Sequence, residues 1–424
     1  MKGRYRYTIL GLLFLATVIN YIDRQIIGLL KPILEKEYKW TEQDYGNLVF
    51  WFQVMYAIGY VLSGRFVDKV GAKIGYGLAV LFWSIAALAH AFVRSTFGFT
   101  VARSALGFTE AGSFPAAMKS ITEWFPVRER SFASGLMISG TTIGPILAPG
   151  IVLWLANHYN WQISFLVTGS LGLIWVVAWY FMYSKPGQSK NVSAEELAII
   201  NADNQATKAL PDNEKVPTQQ LLNKKATWGF FTATFLTDPV WWFYLFWLPS
   251  YLTSNGLTKE ELAYPLTVVY ALAAVLSIAG GWLSSFFVKK GWTINASRKV
   301  PMLICVALAL PVILIRFSHD VWLSVGIIAV AAAAQTIWKG VLLTTVADQF
   351  PKKAVSSVIG IGGMGGAIGG MIAAKVVGIL LDAYKTSGHI TAGYNLVFIC
   401  CGLAYVIAIA LFHFLSPKLE HVKV

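Results

Sequence analysis

Tyr7-Thr-Ile-Leu-Gly-Leu-Leu-Phe-Leu-Ala-Thr-Val-Ile-Asn-Tyr-Ile-Asp23-Arg24-Gln-Ile-Ile-Gly-Leu-Leu30 is the stretch that decides the fold. It is long and apolar enough to cross a bilayer as a helix, which takes about 20 residues. Asp23 and Arg24 stand side by side inside it. A charge near the bilayer centre costs about 2.5–3.5 kcal/mol even on the lenient insertion scale. Two adjacent charges must therefore face protein, water or a ligand, not lipid.

The rest of the chain agrees. Of its 424 residues 56% are hydrophobic and only 13% charged, against about 25% charged in a soluble domain. So apolar a chain is read as an all-α integral membrane protein. The net charge of +13 does not point to nucleic acid, because the basic residues lie in short loops between apolar spans. Cys305, Cys400 and Cys401 all fall in apolar spans and read as small hydrophobes, not a disulfide framework. The first span is too long for a signal-peptide core and is expected to be retained.

Twelve spans are expected, near 7–30, 44–64, 74–93, 97–118, 131–156, 161–183, 228–252, 262–288, 299–316, 321–347, 356–381 and 392–415. With the N-terminus placed in the cytoplasm, 23 of the 34 Lys and Arg fall in cytoplasmic segments and 7 on the opposite side. By the positive-inside rule both termini are cytoplasmic. Arg24, Arg103, Lys339 and Lys375 lie within spans. The polar stretch 185–226 divides the spans six and six, giving halves 1–184 and 227–424. It reads as a cytoplasmic linker carrying one helix-prone piece, Ser193-Ala-Glu-Glu-Leu-Ala-Ile-Ile200.

The halves repeat. Gly64-Arg-Phe-Val-Asp68-Lys-Val-Gly71-Ala-Lys73 follows span two, and Gly281-Trp-Leu-Ser-Ser285-Phe-Phe-Val-Lys289-Lys290-Gly291 follows span eight. Glu123-Trp-Phe-Pro126-Val-Arg128-Glu-Arg130 follows span four, and Asp348-Gln-Phe-Pro351-Lys352-Lys353 follows span ten. Parallel six-span repeats are a transporter architecture.

The loop Gly64-x3-Asp68-x2-Gly71-x-Lys73 resembles the signature loop of the major facilitator superfamily. Trp124-Phe-Pro126-x2-Glu129-Arg130, Asp23-Arg24 and Arg103-x6-Glu110 resemble its anion:cation symporter branch. Leu236-Thr-Asp-Pro-Val-Trp-Trp-Phe-Tyr-Leu-Phe-Trp-Leu-Pro249 resembles the hexuronate transporters. The resemblance implies two pseudo-symmetric six-helix halves and uptake of a small organic anion, a sugar acid, by proton symport with alternating access. It implies that Asp23 and Glu110 take protons and that Arg24 grips the substrate carboxylate. It also implies gating by Gly64, Asp68, Gly71, Lys73 and Arg130. Ser285 stands uncharged where the first half has Asp68, so a latch in the second half would be weaker.

Arg103 and Glu110 are seven residues apart, on one helix face about 10 Å apart. A buried carboxyl is easily protonated and a nearby cation reverses that preference, so such a set can link proton movement to conformation. Inter-helix salt bridges that only order spans one and four are the alternative. A planar guanidinium at Arg24 suits both oxygens of a carboxylate. Lys339, after Trp338, is about eleven residues from Pro351, too deep for easy snorkelling, and is expected to face a cavity. Asp238 is a candidate counter-ion for one of the intramembrane lysines; Lys375 carries no assignment. Hydroxyl- and ring-bearing candidates for a sugar-like ligand are Tyr21, Gln53 and Tyr56 in spans one and two. Trp241, Trp242 and Tyr244 are the candidates in span seven, where packing is the competing explanation.

Gly360-Ile-Gly362-Gly363-Met-Gly365 fits a dinucleotide pattern, but no strand precedes it, and small residues so spaced let membrane helices pack closely. Gly144-Pro145 in span five is a helix kink that drug/proton antiporters often share. No ATP-binding loop and no metal-ligand spacing is present, so no cofactor or metal is expected, with sodium an alternative to the proton. A drug exporter, a symporter of another carboxylate, a membrane enzyme and a transporter-like sensor are the competing readings. The cationic excess disfavours drug export, no nucleophile–base set favours an enzyme, and the short tail after Leu415 disfavours a sensor. The expected setting is a monomer in contact with lipid in a plasma membrane, bacterial in character.

Overall fold

The computed structural model describes residues 4–200, 218–258, 260–318, 320–350 and 352–422. Thirteen long helices carry these residues: α1 (Tyr5–Tyr38), α2 (Glu42–Val70), α3 (Ala72–Ala89), α4 (Thr96–Glu110), α5 (Ser113–Trp124), α6 (Val127–His158), α7 (Trp161–Met182), α8 (Lys225–Ser254), α9 (Ala263–Lys289), α10 (Ile294–Ala309), α11 (Val321–Gln349), α12 (Lys352–Thr386) and α13 (Ile390–Leu415). A helix lies on every predicted span, the fourth in two pieces. Eight spans are long and apolar enough to cross a membrane among the described residues, the first being Tyr5–Tyr38 and the last Ile390–Leu415.

Three local departures have physical causes. First, α1 continues past Leu30 through Pro32, so Lys31, read as an outer-loop residue, is a helical residue with 0% exposure. Glu42 accepts its ammonium on both oxygens, at 2.7 and 2.8 Å, which offsets the cost of burying it. Second, the fourth span breaks at Ala111-Gly112. Pro115, in the first turn of α5, has no N–H for the Ala111 carbonyl four residues back; the Ser63 hydroxyl donates to that carbonyl at 3.3 Å instead. Third, α10 stops at Ala309 and tightens into a 3₁₀ helix over Leu310–Phe317, where Pro311 interrupts the α-helical ladder.

The chain forms two compact units. The first comprises 1–30 and 51–214, the second 31–50 and 215–424. The end of α1 and the start of α2 thus belong with the second unit. There α2 meets α12 at Gly46 and Gly378, with space for no side chain: a Cβ at Gly46 would lie 2.9 Å from the Gly378 Cα.

In a bilayer, packing and hydrogen bonds hold helices together, because lipid is as apolar as the core. The first unit packs Trp175 on Trp179 at 4.9 Å and Trp179 on Tyr183 at 4.0 Å, with Tyr76 edge-on to both tryptophans. Gly140 and Gly144 let α6 lie against α1; a Cβ at Gly144 would meet the Tyr21 Cβ at 2.7 Å. In the second unit the glycine-rich stretch of α12 does the same for α8. Gly362 faces the Phe230 ring, Gly369 faces the Phe235 carbonyl, and the Thr234 hydroxyl donates to the Gly362 carbonyl at 2.7 Å. The dinucleotide-like pattern is therefore a packing surface.

The central stretch is helical over 194–200, with Ser193 capping it: the Glu196 N–H donates to the Ser193 hydroxyl at 3.1 Å. Glu196 is fully buried and turns outward to accept the Tyr5 and Arg6 N–H groups at 3.1 and 3.0 Å. It therefore caps the positive end of α1. This piece, expected as a plain linker with a surface helix, is docked on the first unit.

Candidate functional site

Arg24 is the centre of the first unit. It is 2% exposed, and its Nε and Nη2 donate to one oxygen of Glu110 at 2.9 and 2.7 Å. The other Glu110 oxygen is buried and makes no hydrogen bond of ordinary geometry among the described residues, with the Asn20 amide within electrostatic reach. Asn20, one turn before Arg24 on α1, accepts from Nη2 at 3.4 Å. Three rings surround the guanidinium: Tyr21 and Tyr56 each at 4.8 Å and Phe52 at 5.5 Å. These rings favour a cation and exclude water.

The salt bridge runs between spans one and four. Glu110 takes Arg24 across α1 and α4. Arg103 donates to main-chain carbonyls of α1, to Arg24 at 2.6 Å and to Asp23 at 3.5 Å. Its ring contact is Phe52, at 4.4 Å. It lies within electrostatic reach of both Asp23 and Glu110. Asp23 is 0% exposed, and neither carboxyl oxygen makes a hydrogen bond of ordinary geometry. Gln53 is likewise 0% exposed with both amide atoms unpartnered. The structure thus brings Tyr21, Asp23, Arg24, Tyr56, Arg103 and Glu110 together and leaves unsatisfied polar atoms beside them. Asn20 and Phe52 complete the set and were not foreseen. Their signals were weak: Asn20 sits four residues before Arg24, and Phe52 adjoins Gln53.

The second unit holds its own intramembrane pair. Lys339 of α11 donates to both oxygens of Asp238 of α8, at 2.8 and 2.6 Å. Asp238 lies against Gly366 of α12, where a side chain would displace it. Trp338 is fully buried, edge-on to Tyr405 at 5.6 Å. Tyr244 is buried, and its carbonyl accepts from the Tyr270 hydroxyl at 3.1 Å. Trp241 and Trp242 are half-buried; Trp242 stacks on Phe246 at 5.7 Å. Lys375 donates to Asn47 at 2.5 Å.

In the signature loop Gly71 has φ 86°, a left-handed conformation that ends α2 and starts α3 and that glycine adopts without strain. Lys73 lies over Tyr180 at 5.0 Å, and its carbonyl accepts from the Trp179 indole at 3.0 Å. The side chains of Asp68, Arg130 and Ser285, and the surroundings of Gly64, lie outside the described residues. Glu129, next to Arg130, accepts from Arg6 at 3.1 Å.

A helical membrane protein with paired charges buried in its spans is the architecture of a secondary transporter. The profile of the Major Facilitator Superfamily matches residues 13–374, and the chain belongs to that family. It is a transporter, not an enzyme. It is 29% identical over 384 residues to the hexuronate transporter of Escherichia coli strain K12, covering 90% of this chain and 89% of that one. It is 31% identical over 303 residues to the galacturonate transporter of Dickeya chrysanthemi, covering 71% and 87%. A solved bacterial homolog of the human lysosomal transporter Spinster shares the fold, with TM-score 0.79 at 17% identity over the whole of both chains.

Proposed function

We propose that this protein imports a sugar acid, a hexuronate or a near relative, by proton symport with alternating access. The observation that carries the reading is the Arg24 guanidinium held by Glu110 inside a cage of Tyr21, Phe52 and Tyr56. Arg24 already grips a carboxylate, the protein's own. A substrate carboxylate competes for the same fork, and a proton on Glu110 releases the arginine to it. Asp23 is a buried carboxyl that makes no hydrogen bond of ordinary geometry, with the Thr168 hydroxyl within electrostatic reach. That is costly for an ion, so a proton is its natural partner. The Gln53 amide and the Asn20 Nδ2, which make no hydrogen bond of ordinary geometry, are offered to a sugar hydroxyl. The rings of Tyr21 and Tyr56 suit a sugar face, and the relatives' sugar-acid substrates support the class.

In this reading Asp23 and Glu110 carry protons, Arg24 binds substrate and Arg103 braces α1 by its carbonyls. Lys339, Trp241, Trp242, Tyr244 and Trp338 serve substrate from the second half, and the loop around Gly71 and Lys73 gates. The protein works as a monomer with twelve spans in a bacterial inner membrane, both termini inside. Its pseudo-symmetric halves are 1–184 and 227–424, joined by 185–226. The proton is the coupling ion and no cofactor takes part.

The test is uptake of radiolabelled galacturonate and glucuronate into proteoliposomes under an inward proton gradient. Accumulation that a protonophore collapses is expected. Uptake of neither acid by intact protein would overturn the substrate class. Accumulation indifferent to the protonophore and dependent on sodium would overturn the coupling ion.

A further inference from the structure

Lys339 has a substrate contact in the mechanism so far, but its partner Asp238 has no role in it. The pair lies deep in its helices: Asp238 is thirteen residues into α8 and Lys339 ten residues from the end of α11. Both lysine contacts are short, 2.8 and 2.6 Å. Yet the pair is not sealed. The Lys339 and Asp238 side chains are 34% and 16% exposed, against 3% and 0% for Arg24 and Glu110. A charge exposed at this depth is costly against lipid, which favours water or a polar ligand on its open side.

The surroundings of Asp238 are otherwise neutral. The next residue is Pro239, which cannot donate a main-chain N–H. From α12 it meets Gly366, which leaves room for the carboxyl and offers no charge. From α13 the Tyr405 hydroxyl is within electrostatic reach, and it is committed to Gln335, donating at 2.6 Å. Lys339 is thus the one cation facing Asp238 among the described residues. Whatever draws Lys339 away leaves Asp238 as a lone carboxylate in a membrane-embedded setting, where an unpaired charge is costly.

We infer that Asp238 and Lys339 form a second proton-linked anion site: a substrate carboxylate takes Lys339, and Asp238, stripped of its counter-ion, binds a proton. The proton comes from the bulk solution, the ion pair is the only interaction broken, and the O–H bond on Asp238 is the only bond made. Asp238 is then a coupling residue in the second unit, acting alongside Glu110 in the first. The ligand class is a small organic carboxylate. This rests on the proposed symport.

The test uses full-length protein in proteoliposomes and reads three quantities: labelled-galacturonate counterflow, net uptake, and the ratio of protons to substrate from paired pH-dye and isotope fluxes. Wild-type protein without uptake would sink the symport reading itself, before the variants are considered. With wild type active, Asp238→Asn is expected to keep counterflow near wild type, since exchange requires no net proton release, while the proton ratio falls by about one. Asp238→Glu, which restores a titrating carboxyl, is expected to restore the ratio. Lys339→Gln is expected to weaken half-saturation in counterflow by about tenfold or more, the loss of a charge-assisted contact. An unchanged proton ratio in Asp238→Asn, or unchanged half-saturation in Lys339→Gln, would overturn the inference and leave the Arg24–Glu110 mechanism standing. Counterflow also reports folding; should Asp238→Asn be inactive, Lys339→Gln decides, and unchanged half-saturation there overturns the inference.

Discussion

Among the carboxylate–cation pairs of the described residues, Arg24–Glu110 and Asp238–Lys339 lie deep within helices, one in each compact unit, and they are built differently. Arg24–Glu110 is sealed, caged by three rings and placed beside a second buried carboxyl, Asp23. Asp238–Lys339 is partly open and flanked by a glycine and a committed tyrosine. Arginine stays charged and offers a rigid fork, so the first pair suits orientation of a carboxylate. Lysine is a compact, flexible point charge, so the second suits reversible capture. The difference teaches that burial alone does not rank the two: the sealed pair is the more costly to break, the open pair the easier to exchange.

The comparison is broken most severely at Arg24. Arg24→Met leaves Glu110 buried without its cation, a loss of about 3–5 kcal/mol. Uptake should vanish and the melting temperature in detergent should fall. Gly366→Ala strikes only the second pair, because the new methyl occupies the place of the Asp238 carboxylate. Overpacking of this kind costs about 1–3 kcal/mol, and weakened uptake with the Glu110-dependent pH slope of binding unchanged is the expected profile. Tyr56→Leu sharpens the contrast by removing one face of the Arg24 cage. A cation–π contact of this kind is worth about 0.5–2 kcal/mol, so half-saturation should rise while the proton ratio holds. Glu196→Ala touches neither pair. It removes the cap of α1 at a cost of about 1 kcal/mol, and a small drop in thermal stability without a change in coupling is expected.

The spans were legible because twenty-residue apolar runs and loop charge asymmetry are coarse signals that survive local irregularity. The ends were less so. Pro115 was visible in the sequence, but reading a break at Ala111 from it requires knowing that Ser63 of another helix covers the orphaned carbonyl. Lys31 looked like a loop residue because its partner, Glu42, lies on the far side of a turn. At the site, the individual charges announced themselves by their cost. Their exact partners did not: spacing puts Arg103 and Glu110 on one face of α4 about 10 Å apart, and only the fold shows Arg24 of α1 on Glu110 and Arg103 on main-chain oxygens. Asp238–Lys339 was legible as a possibility only, being a contact between residues 101 apart.

The central claim is that a protonated Glu110 releases Arg24 to the substrate. Galacturonate affinity measured against pH, on purified wild type and Glu110→Gln, addresses it directly. At higher pH an ionised Glu110 holds Arg24, so wild-type binding is predicted to weaken as pH rises. Glu110→Gln is predicted to bind at least as tightly, with a log Kd–pH slope smaller by about one proton. A variant that binds more weakly at every pH, with the wild-type slope intact, would contradict the account.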